Sequence, residues 1–238
     1  MIPRRLTVAV SSLLLIGTLT GFLTVAGATV KDPTKLAVIT ATKAALARTS
    51  GVHVVVETTL DKTVSSVVAD IGKTSGTETY TRGDETFTIS VTPKYAYLSG
   101  SKTGLTKLMG LTVAEQAKVG GSWIVMKKGS PPYATFASNL TTGAFANLMP
   151  PAKDTTLLTQ RAKVDGGYQI KWVEPATSSA PKSTTIMTIS AGSQTLPIEE
   201  AVTTSEGNST TTFTKWGETV HIATPSPTIA YATVFPTK

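Results

Sequence analysis

The chain contains no cysteine. That excludes disulfides, thiolate catalysis, cysteine-based zinc sites and lipid attachment at a thiol. Histidine is almost as scarce, with two in 238 residues. His53 and His221 each alternate with apolar neighbours in a segment patterned as a strand, so both are expected to face solvent. A histidine-based triad or metal site needs a histidine in a pocket beside an orienting partner, and no such partner stands out in the sequence. Charged residues make up 16% and aromatics 6% of the chain. The net charge is +7, yet Lys and Arg form no run, which argues against nucleic acid as a partner. A mild basic excess suits a soluble surface and also a position near an anionic membrane surface.

What the chain has in quantity is Thr and Ser. Thr is β-branched and suits a pleated, exposed strand surface better than a helical bundle. The N-terminus is a different matter. Met1-Ile2-Pro3-Arg4-Arg5 precedes an uncharged stretch from Leu6 to Ala28, centred on Leu13, Leu14, Leu15 and Ile16. A basic start, an apolar centre and small terminal residues form the signal-peptide pattern. Residues 1–28 are therefore expected to direct export, with Ala26 and Ala28 as the small processing residues and Thr29 as the new N-terminus. The stretch is also long enough to remain as an uncleaved anchor, though six Ser and Thr residues dilute it. Val25-Ala26-Gly27 resembles the last three residues of a bacterial lipobox, in which cysteine comes next; here that place holds Ala28. The remaining roughly 210 residues read as one β-rich domain, 29–225, followed by a Pro/Thr-rich tail, 226–238.

Asp32-Pro33 is a good helix start. Leu36, Ile39 and Leu46 then recur at helical spacing, and Ser50-Gly51 supplies a stop. A two-residue period follows in Val52–Val56 and in Phe87, Ile89 and Val91 against Thr86, Thr88 and Ser90. Further strands are expected at Tyr95–Leu98, Trp123–Met126, Tyr168–Trp172, Thr184–Ser190, Leu196–Thr204, Thr210–Lys215 and Thr219–Ala223. Arg82-Gly83-Asp84-Glu85 and Asp165-Gly166-Gly167 read as hairpin turns. Successive hairpins with a polar outer face imply an antiparallel, one-sided sheet. Residues 102–118 and 130–151 interrupt it with helical, Leu/Met/Phe-rich character. Helices inserted into a meander are expected to cover one face of the sheet.

Several short matches to catalytic motifs fail on context. Gly72-Lys73-Thr74 lacks the first glycine of a phosphate loop, Val67 standing there. Ser99-Gly100-Ser101-Lys102 overlaps Lys102-Thr103-Gly104, whereas penicillin-recognising sites need these motifs on separate elements. Glu199 and Glu200 are adjacent on a strand and so face opposite sides, which argues against a glycosidase pair. Arg82-Gly83-Asp84 is explained as a hairpin turn. The Asn139 and Asn208 sequons would be idle in a bacterium. No enzyme activity, cofactor or metal is expected, and the domain reads as a monomer.

The order of elements then becomes informative. After the N-terminal helix and meander come Tyr95-Ala96-Tyr97, a helical insert, and Gly120-Gly121-Ser122-Trp123-Ile124. Near the end stand Leu196-Pro197-Ile198 and Lys215-Trp216-Gly217, running on to Pro225. This resembles the LolA-like lipoprotein group of actinobacteria, of the LppX/LprG type, over most of residues 34–225. The resemblance implies a mainly β (α+β) fold: a half-open antiparallel β-barrel whose concave face is covered by helices, with an apolar cavity for acyl chains. It implies a carrier of lipids, lipoglycans or glycolipids in the cell envelope. Ala28 departs from the pattern and leaves tethering open. The residue pattern points the same way, since a one-sided sheet under an apolar lid makes a concave hydrophobic site. Candidate lining residues are Phe87, Ile89 and Val91 on the sheet and Leu108, Leu111, Phe136, Leu140, Phe145 and Leu148 on the lid, with Ile170 and Trp172 extending the wall. The alternative is an envelope protein-interaction module with a filled core.

Overall fold

The computed structural model describes residues 34–158, 167–177, 180–191 and 194–235; the expected export segment and the Asp165-Gly166 part of the second hairpin lie outside them. The first element is helix α1 (Lys35–Arg48). Thr34 caps it, its hydroxyl accepting the Ala37 N–H at 3.2 Å, while Asp32-Pro33 lies outside the described residues. The buried stripe is Val38, Ile39, Thr42 and Leu46. Leu36 was expected there but is 62% exposed, because the stripe centres on Val38, Thr42 and Leu46. A threonine can occupy its middle because the hydroxyl donates back to the Val38 carbonyl at 2.9 Å.

Five antiparallel strands follow: β1 (Gly51–Leu60), β2 (Thr63–Gly72), β3 (Gly76–Arg82), β4 (Glu85–Val91) and β5 (Tyr95–Gly100). Helices α2 (Lys102–Met109) and α3 (Val113–Val119) lead to β6 (Trp123–Lys127). Helix α4 (Pro131–Asn139) and a 3₁₀ turn (Thr142–Asn147) then precede β7 (Thr155–Leu158). The second meander is β8 (Tyr168–Glu174), β9 (Ser183–Ile189), β10 (Pro197–Thr204) and β11 (Gly207–Thr214). A short strand β12 (Thr228–Ala230) and helix α5 (Tyr231–Val234) complete the described chain.

All twelve strands form one sheet in the order β12-β6-β5-β4-β3-β2-β1-β11-β10-β9-β8-β7. β11 pairs with β1 and so joins the two meanders. Every pairing is antiparallel except β12 on β6. The sheet curls without closing, and β12 and β7 remain as its edges. Thr and Ser line its outer face, where the cross-strand hydroxyl pairs Thr79–Thr88 (3.0 Å) and Thr77–Ser90 (2.9 Å) form.

Two features depart from the sequence pattern. Thr219–Ala223 is not a strand, although Val220 and Ile222 alternate with polar residues. Both edges of β11 are already taken by β1 and β10, so no partner is left nearby. Instead the segment straps the end of the sheet. Gly217 N–H donates to the Gly51 carbonyl, the Ser75 hydroxyl donates to Val220, and Trp123 N–H donates to Pro227. Gly51 and Gly72 make room for it: a Cβ would lie 2.4 Å from the Glu218 oxygen at the first and 2.9 Å from Val220 Cβ at the second. The second departure is the tail. Residues 228–235 are part of the fold: Thr228–Ala230 pairs in parallel alongside β6, and Val234 is fully buried. Pro and Thr dominate the tail's composition, but Ile229, Tyr231, Val234 and Phe235 supply the apolar side chains that pack.

Candidate ligand-binding face

The strand registers place one continuous set of side chains on the concave face. Ile89 of β4 stands opposite Glu78 of β3, Glu78 opposite Ala69 of β2, and Ala69 opposite Val54 of β1. Val54 in turn stands opposite Phe213 of β11. Two apolar clusters cover this face. One joins α1 and the 3₁₀ turn to β1, β2, β8, β9 and β11, and contains Phe145, Leu148, Ile170 and Trp172. The other joins α2, α3, α4 and α5 to β4, β5 and β6, and contains Phe87, Ile89, Val91, Leu111, Phe136 and Leu140, with Leu108 packed against it. The candidate lining residues thus fall into two groups rather than around one centre. Leu98, Ile124, Ile170 and Met187 are fully buried, two of them in each cluster.

The seam between the clusters is β3. Its inward positions are Gly76, Glu78 and Tyr80. Gly76 admits the lid: a Cβ there would lie 2.2 Å from the Leu140 carbonyl oxygen. Tyr80 stacks on Phe87 with ring centroids 4.9 Å apart. Glu78 is only 9% exposed, and burial pushes its carboxyl up to about 7. Glu200 on β10 is 6% exposed and is likewise pushed up to about 7, by burial and then by the nearby charge of Glu174. Glu199 is exposed, so the adjacent pair faces opposite sides as expected.

An open cleft of about 320 Å³ lies beside the first cluster. Its wall is Ser190, Gln194, Leu196, Pro197, Ile198, Phe213 and Trp216. Trp216 is fixed there by three contacts. Its indole N–H donates to the Pro197 carbonyl at 2.7 Å, and its ring meets Phe213 (5.7 Å) and Phe145 (5.6 Å). None of the eleven candidate lining residues forms this wall. Sequence periodicity missed Phe213, Trp216 and the two buried carboxyls. For Glu78 a signal existed: Thr77, Thr79 and Thr81 occupy one face of β3, which leaves Glu78 on the other.

The remaining motifs have structural explanations. Ser101 caps α2, accepting the Gly104 and Thr86 N–H groups and donating to the Asp84 carbonyl, which accounts for the Ser99–Lys102 match. Arg82-Gly83-Asp84 is the β3–β4 turn, with Gly83 at φ +58°. His221 is exposed, as expected. His53 corrects expectation: it is half-buried on the outer face, with Nδ1 2.6 Å from an Asp70 carboxylate oxygen across β1–β2. Alternation cannot reveal a cross-strand partner 17 positions away. Among the described residues there is no metal-binding cluster and no helix long and apolar enough to cross a membrane.

No family model matches the chain, and no curated protein matches its sequence. Solved structures do match. The Mycobacterium tuberculosis lipoprotein LppX aligns with 81% of this chain and 100% of its own, at TM-score 0.51 and 18% identity. LprF from Mycobacterium bovis aligns with 81% of this chain and 97% of its own, at TM-score 0.50 and 16% identity. The chain shares their fold. At this level of identity the match extends to the architecture: a mostly antiparallel, curled, unclosed sheet with helices on its concave side, as the LppX/LprG resemblance implies. The lipobox comparison at Ala28 concerns residues outside the described ones.

Proposed function

We propose that the chain is an exported, non-enzymatic carrier or binder of a hydrophobic ligand, a lipid, lipoglycan or glycolipid, in the cell envelope. The observation that supports this most is the apolar, helix-covered concave face of a half-open sheet, an architecture it has in common with a lipoprotein. Such a site holds alkyl chain by burial, at about 0.8 kcal/mol per CH₂, and requires no catalytic residue. The ligand enters between sheet and lid, against Phe87, Ile89 and Val91 on one side and Leu108, Leu111, Phe136, Leu140, Phe145 and Leu148 on the other, with Ile170 and Trp172 extending the wall. Organic extraction of the purified full chain followed by mass spectrometry tests the reading. A co-purifying lipid is expected; absence of lipid together with failure to take up an apolar fluorophore refutes it.

The second reading is an envelope interaction module with a filled core, favoured by the full burial of Leu98, Ile124, Ile170 and Met187. Phe136→Asp separates the two. A filled core unfolds, whereas a carrier keeps its fold and loses ligand. Export is tested at the N-terminus of the secreted protein, where Thr29 marks cleavage and Met1 an anchor.

A further inference from the structure

The carrier reading leaves open what kind of headgroup the face accepts, and the strands next to the cleft bear on that. Beyond Ile198 and Phe213, β10 and β11 continue on the concave side with polar residues. Glu200 stands directly opposite Thr211 on β11 and Met187 on β9. Two residues on, Val202 stands opposite Ser209 and Thr185, which makes Thr185 a diagonal neighbour of Glu200. Glu200, Thr211, Thr185 and Ser209 are 6%, 5%, 4% and 9% exposed.

Ser209 is satisfied by Thr58, with 2.9 Å between the hydroxyls. The side chains of Glu200, Thr211 and Thr185 have no hydrogen-bond partner among the described residues. No fully enclosed polar side-chain atom of the described residues lacks a partner. The unpaired oxygens of these three residues are therefore not fully enclosed, and the register places them on the concave side. A nearly buried, unpartnered carboxyl is destabilising, and a position between Met187 and Val202 would suit an aliphatic side chain better. Polar groups kept against stability in this way belong to sites more often than to cores.

The local charge narrows the ligand. Burial and Glu174 both disfavour the Glu200 anion, and among the described residues no basic side chain offsets them. An anionic headgroup would meet two carboxyls. A neutral polyol would meet a carboxyl and two hydroxyls that both donate and accept. We infer that Glu200, Thr211 and Thr185 form a subsite for an uncharged, hydroxyl-bearing headgroup, set beside the cleft of Leu196, Phe213 and Trp216 on the same concave face that takes the hydrocarbon.

The test uses the full chain and displacement of N-phenyl-1-naphthylamine, an uncharged apolar fluorophore, by dodecyl maltoside below its micellar concentration. Glu200→Leu and Thr211→Val are each expected to weaken dodecyl maltoside about tenfold, the size of one lost hydrogen bond in a buried site. Glu200→Gln, which keeps a donor and an acceptor, stays within about twofold of wild type, and fluorophore affinity is unchanged in all three. Thr211→Val is isosteric and carries the test if Glu200→Leu does not fold. Undiminished dodecyl maltoside binding by Glu200→Leu and Thr211→Val, with the fluorophore still bound, overturns the subsite and leaves the carrier reading standing. A wild-type chain that binds neither probe overturns both. Preference for dodecyltrimethylammonium that disappears in Glu200→Gln overturns the uncharged assignment. Competition by maltose at the same concentration overturns the lipid source.

Discussion

Glu78 and Glu200 make the stability of this protein depend on pH in an unusual direction. Most carboxylates stabilise a fold once ionised, because they are paired or hydrogen-bonded in the native state. These two are pushed up to about 7 by burial, while in the unfolded chain they titrate near their ordinary value of 4.5. Below pH 4.5 both states carry the proton and the carboxyls are neutral. Between about 4.5 and 7 only the native state retains it, so unfolding releases protons and stability falls as pH rises. Above about 7 the buried groups ionise in the native state too, and the loss levels off. The difference corresponds to about 3 kcal/mol for each residue. The two lie on β3 and β10 with β2, β1 and β11 between them, so their effects should add. The assay is urea denaturation of wild type and of Glu78→Gln/Glu200→Gln from pH 4.5 to 8. The wild type is expected to lose stability relative to the double variant across that window. A wild-type-minus-variant difference that stays flat, or that favours wild type as pH rises, refutes the reasoning. Glu115 works in the opposite sense. Its capping hydrogen bonds from Thr112 hold its carboxyl below the ordinary value, so its contribution is lost in acid, outside this window.

Three further outcomes test the architecture by denaturant midpoint or thermal melt. Gly76→Ala places a Cβ against the Leu140 carbonyl at 2.2 Å and is expected to cost about 1–3 kcal/mol, since both contacting groups are backbone. Val234→Ala removes a fully buried side chain and should cost about 1–3 kcal/mol; no change would mean that residues 228–235 do not belong to the folded unit. Trp216→Phe loses the hydrogen bond to the Pro197 carbonyl while keeping an aromatic ring beside Phe213, and about 1–2 kcal/mol is expected to follow.

The elements most legible in the sequence are those whose evidence is local. β4 alternates between Phe, Ile or Val and polar residues, and β1 does so except at Val55. Gly83 marks the β3–β4 hairpin. Places where a distant partner decides the outcome were not legible. Thr219–Ala223 has a strand's alternation, but both sides of the preceding β11 are already paired. Leu36 has the right spacing, but the sheet meets α1 along Val38, Thr42 and Leu46. Residues 228–235 have a tail's composition but find the edge of β6. His53 meets Asp70 through the β1–β2 register alone.

The same division holds for the site. Patterning by itself determined that a one-sided antiparallel sheet would form and that the Leu/Met/Phe-rich inserts would cover one face. Burial of apolar side chains is non-directional and needs only composition and period to be foreseen. Only the tertiary structure decided that the candidate wall divides into two clusters, that β3 is the seam between them, and that Glu200, Thr211 and Thr185 share an inward patch next to Phe213 and Trp216. Strand order and register set those positions. A shift of one residue in β10 would turn the Glu200 carboxyl outward, and one in β11 would turn Thr211 outward; nothing in a linear sequence states which of two registers the full set of pairings will select.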